Sequence, residues 1–328
     1  MKTFRTVLPP LSAPFTLTHT DRTVIVGSCF SEHMGERLSA YKFPVLVNPS
    51  GILYNPISIA RLLENLLLPA VDFSEAIFWH QGLWHSWEHH GRFSHPNREI
   101  FEQQLYTAHE RAVAFAASTQ RLFLTLGTAH VFYLRHSGRT VANNHKAPAD
   151  WFEQRRLTVE ETVSVLASVL EKWKNARPDL QVLLTVSPVR HLRNGLIENQ
   201  RSKAVLLLAC EQLCNRYPFV HYFPAYELLL DDLRDYRFYT TDMIHPSEVA
   251  VDYIWDYFAQ AFFPPKTAHL VAQIAQIRAA VNHRPFHPDT PEHRAFVQQQ
   301  YNIVQRLLRH HPEIDFSEEL EHFSAFLK

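Results

Sequence analysis

The chain has 328 residues, 46% of them hydrophobic, and a formal net charge of −1. The hydrophobic content argues for a full core rather than disorder, and the near-neutral charge lacks the basic footprint needed to hold nucleic acid or an anionic membrane surface. No apolar run approaches the roughly 20 residues that span a bilayer.

The opening MKTFRTVLPPLSAPF has early cations but no apolar stretch of the signal-peptide kind, so it reads as mature protein. Short Val-, Leu- and Phe-rich runs follow at 23–27, 43–48, 121–127, 181–188 and 219–224. Each ends at Gly, Asn or Pro, as buried parallel strands do. Helical patterns lie between them, at about 31–41, 56–68, 97–117, 158–177, 199–216 and 247–262. Strand–helix alternation of this kind predicts an α/β fold, a parallel sheet covered on both faces. Ligands then bind beyond the carboxyl ends of the strands. Two segments break the alternation. Residues 72–96 are rich in aromatics and histidine and read as an inserted hairpin or lid. Residues 128–150 contain a hairpin turning at HSGR. Beyond Pro264–Pro265 about three more helices follow, broken at 283–292. A free-standing domain of ~64 residues is marginal, so residues 265–328 read as an appendage packed on a main domain of residues 1–264.

Three cysteines, Cys29, Cys210 and Cys214, fit a reducing cytoplasm better than a disulfide framework. Cys210 and Cys214 sit four apart on an apolar helix pattern and read as fillers. Cys29 is different. In TVIVGSCFSEHMGERL a strand reaches Gly27 and turns directly into a helix, which puts Ser28 and Cys29 at a helix N-terminus. Unpaired N–H groups and the positive dipole end lower a thiol's pKa there and offer a donor to an oxyanion. The plain alternative is a helix capped by Ser28 or Ser31, with Cys29 as a small hydrophobe. In YTTDMIHPSEVA, Asp242 and His245 are three apart, so the carboxylate can hold the imidazole Nδ1–H and leave Nε2 free as a general base.

A nucleophile after the first strand and an Asp-x-x-His pair after the last resemble the SGNH (GDSL-type) hydrolase superfamily. GSCFS and DMIHPS are similar, more narrowly, to the GSCFA family, with Ser31 in place of the family's alanine. NPSGILYNP (48–56), LGTAHVF (126–132), NNHK (143–146), SPVRH (187–191) and the stretch 226–246 extend the likeness over about residues 5–265. The resemblance implies a three-layer α/β/α sandwich with an SGNH- or flavodoxin-like sheet. It also implies acyl transfer from an ester or thioester by a Cys29–His245–Asp242 triad, on a small-molecule, acylated or glycan substrate. Ser28 falls where the superfamily has Asp and reads as a hydrogen-bonding turn residue, its hydroxyl being the alternative nucleophile to the Cys29 thiol. Gly51 falls on the glycine whose N–H binds the oxyanion. The third block, Gly-x-Asn in the superfamily, is here Gly127-Thr128-Ala129, so one amide donor is missing; such a loss typically costs two to three orders of magnitude in rate. Asn143, Asn144 and His145 are the candidate replacements, with Thr128 and His130 behind them; an Asn-Asn pair also caps turns. A scaffold that kept its cleft as a binding module is the alternative.

Two further features lie near that end of the sheet. SPVRH places Ser187, Arg190 and His191 after the fourth strand, where Arg190 can pair a substrate phosphate or carboxylate, or stand as a solvated charge. His85 and His89, four apart, with His90 and His95, would suit zinc only on a helix. The aromatic alternation around them reads as strands, hence a lid rather than a metal site. Nothing in the sequence requires a cofactor. DDLRDYR (231–237) reads as a charged helical face.

Overall fold

A computed structural model describes residues 5–327; Met1–Phe4 of the opening segment, and Lys328, lie outside the described residues. The strands are β1 (Thr23–Gly27), β2 (Val45–Val47), β3 (Ile77–His80), β4 (Leu83–Ser86), β5 (Arg121–Leu126), β6 (His130–Leu134), β7 (Thr140–Val141), β8 (Phe152–Arg156), β9 (Gln181–Val186) and β10 (Val220–Tyr222). The helices are α1 (Cys29–Ala40), α2 (Pro56–Asn65), α3 (Arg98–Ala116), α4 (Val159–Ala176), α5 (Gly195–Arg216), the single turn α6 (Ala225–Glu227), α7 (Glu248–Phe262), α8 (Pro265–Asn282), α9 (Pro291–His310) and α10 (Ser317–Ala325).

Five strands form one parallel sheet in the order β10-β9-β5-β1-β2. The central strands β1, β5 and β9 are buried on both faces, and their side chains alternate between two cores. Val24, Val26, Leu122, Leu124, Val182 and Leu184 face α2, α4 and α5; Ile25, Phe123 and Leu183 face α1 and α7. The result is a three-layer α/β/α sandwich. Gly35 lets α1 approach the sheet, because a Cβ there would press into Val47. The order reverses between β1 and β5: β1 leads outward to β2, whereas β5 leads the other way to β9 and β10. That reversal is a topological switch point, where doubly wound sheets open a crevice at their carboxyl edge.

The inserted segment is a hairpin, β3 against β4, turning at Gln81 and Gly82, both at positive φ. Phe78 stacks on Trp87 with 3.4 Å between ring centroids, above a small core of Trp87, Leu134, Val141 and Phe152. A second antiparallel sheet, β7-β6-β8, underlies it, with the turn at 135–139 where the HSGR motif predicts one. The tail helices α8, α9 and α10 share a core of Leu270, Ile274, Val304, Phe316 and Phe323, against which Tyr41 packs. Residues 231–237 depart from the charged face expected of them. Leu228–Leu233 is a π-helical turn ended by Arg234 in a left-handed conformation, and Asp232 is buried, accepting from Leu8 N and Tyr253 Oη. Among the described residues no helix is long and apolar enough to cross a membrane.

Candidate active site at the switch point

The register brings three strand ends together. Gly27 pairs with Thr125 and Thr125 with Thr185, so the residues that follow, Ser28–Cys29, Gly127–Thr128 and Ser187, leave the sheet side by side. Gly27 has φ +147°, and a Cβ there would run into the Thr125 carbonyl. Ser28 is the N-cap of α1; its Oγ accepts from Phe30 N (3.3 Å) and donates to Ser187 Oγ (2.9 Å). With its proton committed and its side chain fully buried, Ser28 serves the turn.

Cys29 is the first residue of the helix and only partly buried. Burial pushes its thiol up; the N–H groups of Phe30 and Cys29 pull it down, Glu32 pushes it up, and the Lys203 ammonium pulls it down. Burial dominates, so the resting group is the thiol and a base is needed to ionise it. The base candidate is well built. Asp242 Oδ2 holds His245 Nδ1 at 2.7 Å, while its Oδ1 takes Thr240 Oγ1 (2.7 Å), Ile244 N (2.8 Å) and His245 N (3.0 Å). Those donors hold the Asp242 carboxyl well below the usual carboxylate range. With Nδ1 engaged, Nε2 of His245 is the free nitrogen. No hydrogen bond joins His245 to Cys29 among the described residues. Instead His245 lines a groove of about 450 Å³ with His33 and Arg37 of α1, Tyr41 just beyond that helix and Arg278 of α8.

Gly51 (φ +83°) lies under the lid, where a Cβ would run into His90, and its N–H donates to Asn48 O at 2.7 Å. Gly127 packs against Tyr54, whose carbonyl accepts from both Gly127 N and Thr128 N. Thr128 Oγ1 bonds Ser202 Oγ (3.0 Å), and His130 lies 3.3 Å from Thr128 Oγ1 and 3.7 Å from Glu198. Asn143 Oδ1 accepts from His145 N (2.9 Å) and the Asn144 carbonyl from Ala147 N, so this pair shapes a turn. His145 Nε2 bonds Ser86 O at 2.7 Å beneath the hairpin, where burial lowers it to about 4. Arg190 lies over Tyr239, and its N–H reaches Ile244 O, tying the loop after β9 to the Asp242–His245 loop. The hairpin histidines are engaged as well: His85 bonds Ser94 Oγ and His80 O, and His89 bonds Ser86 Oγ.

Two residues at the strand ends escape sequence reasoning. Asn48 is fully buried at φ +44°, accepts from Gly27 N through Oδ1 (2.9 Å), and keeps an Nδ2 with no partner. Lys203 is buried on α5. Its signal was present: Asn199, Ser202 and Lys203 fall on the inward stripe that Leu206, Ala209, Cys210 and Leu213 continue, and polar residues there face the carboxyl end of the sheet.

Together these features define a doubly wound α/β protein with a thiol at its switch point and an aspartate-held histidine on a neighbouring loop. The chain belongs to the GSCFA family: the family model matches residues 22–258, and the model of the C-terminal domain of GSCFA domain proteins matches residues 274–328. No curated protein matches the chain significantly.

Proposed function

We propose that this chain is an SGNH-like acyl hydrolase or acyltransferase acting on an ester or thioester of a small molecule or glycan, in a reducing, cytoplasmic setting. The observation that carries the reading is the 2.7 Å Asp242–His245 bond, on a loop tied through Arg190 to the strand ends that bear Cys29. In the mechanism, His245 Nε2 takes the Cys29 proton and the sulfur attacks the acyl carbon. The imidazolium then protonates the leaving group, and water or an acceptor releases the acyl-enzyme. The N–H of Cys29 faces the oxyanion; Gly51 is the second donor once its N–H leaves the Asn48 carbonyl.

Labelling with a fluorophosphonate and an acyl-thioester probe tests this. Cys29→Ala and His245→Ala should each cut labelling at least ~100-fold, the scale of losing a nucleophile or its base, while Ser28→Ala keeps it. Equal labelling in all four proteins sinks the covalent mechanism. A binding module is the second reading, favoured by the engaged Gly51 N–H and by the absence of a His245–Cys29 hydrogen bond.

A further inference from the structure

Lys203 is 1% exposed, and no carboxylate pairs with it among the described residues. A buried charge without a counter-charge is expensive, so its surroundings indicate what offsets the cost. Its Nζ donates to Gly127 O (2.8 Å) and Ser187 O (2.7 Å), the first carbonyls beyond β5 and β9. Those are the two strand ends beside the Cys29 turn, and Ser187 Oγ in turn takes the hydroxyl proton of Ser28. An ammonium has three N–H donors, and the two carbonyls use two of them. The carbonyls offer partial negative charge; an ionised sulfur would offer a whole one.

We propose that Lys203 is a positioning residue for Cys29: its buried ammonium holds negative charge on the Cys29 sulfur, at the strand end where Thr128 leaves the site without an amide donor. The proposal rests on Cys29 being the nucleophile. Lys203 transfers no proton; the proton leaving sulfur goes to His245 Nε2, and the lysine remains an ammonium while the anion forms. The coupling is visible from both sides. Lys203 pulls the thiol down against the burial that raises it, and Cys29 pulls the lysine up against the burial that lowers it, leaving the lysine at about 7. Burial keeps the sulfur protonated at rest, and each charge, once formed, favours the other.

The test is the pH dependence of iodoacetamide alkylation at Cys29 in the full chain, followed by peptide mass spectrometry. The rate in wild type should rise with pH through one midpoint, that of the Cys29 thiol. Lys203→Met should move that midpoint up, reacting roughly tenfold more slowly near pH 7.5, the effect of about one pKa unit on the thiolate fraction. Lys203→Arg, charged at every pH, should keep the wild-type midpoint. A folded Lys203→Met with the wild-type profile overturns the proposal. Should that variant not fold, the Lys203 ε-carbon resonance in wild type and in Cys29→Ala decides: the lysine should lose its proton at lower pH in the variant, and equal midpoints overturn the idea. Absent thioester labelling with the Lys203-dependent difference in alkylation intact would sink the acyl-transfer reading alone.

Discussion

At Gly27 the backbone takes φ +147° and passes against the Thr125 carbonyl, so the turn that carries Cys29 exists only with glycine there. Gly27→Ala must move β5 or open the turn. It should cost about 2–4 kcal/mol, overpacking and left-handed strain combined, as a lower denaturation midpoint at unchanged m-value. Asp242 acts through geometry, fixing the His245 tautomer and four donors at once. Asp242→Asn should keep the fold yet cut probe labelling by a factor on the order of 10²–10⁴, the range for a histidine left in the wrong tautomer. The residues legible in sequence were those whose neighbours in the chain explain them: Gly27, Cys29, Asp242, His245. Lys203 and Asn48 were not, because a lysine is expected outside and an asparagine before Pro-Ser reads as a turn. Their roles depend on strand ends that meet only in three dimensions.

The hairpin is held by neutral imidazoles. Desolvation lowers His89 to about 3 and His145 to about 4, and both bond Ser86. Below about pH 6.5 the unfolded chain takes up protons that these sites refuse, so stability present above that pH is lost progressively as it falls toward 4. Each group contributes about 1.4 kcal/mol per pH unit, or about 2 kcal/mol at pH 5. Urea unfolding at pH 7 and pH 5 should show the loss, and His145→Gln should remove its share of the slope. The same segment shows what element-level reading can reach. Aromatic alternation around Gln81-Gly82 was enough to place a hairpin, just as Val-Leu runs placed the five parallel strands. β8, FEQRR, is largely polar and solvent-facing, and its pairing with β6 leaves no periodic hydrophobic mark. The π turn at 228–233 escapes for a related reason: Asp232 points inward to a chain segment more than 200 residues away.

At the scale of the whole molecule, the tail helices meet the sandwich at the end of α1. Lys42, at φ +65°, bonds Glu319 of α10 at 2.8 Å, with both side chains largely buried. Removing one partner strands the other, so Glu319→Gln should destabilise the tail by roughly 1–3 kcal/mol and speed proteolysis in the 283–290 connection; Lys42→Met with Glu319→Leu should recover much of it. The switch point also sets an order of events during synthesis. β1 lies between β2 and β5, and the site adds Lys203 and then His245, so Cys29 leaves the ribosome far ahead of the groups that surround it. At roughly 5–20 residues per second, the thiol waits on the order of ten seconds or more before Lys203 is made. A nascent chain stalled before α5 should therefore present Cys29 as an ordinary exposed thiol that oxidants and alkylating agents attack faster than the partly buried thiol of the completed fold.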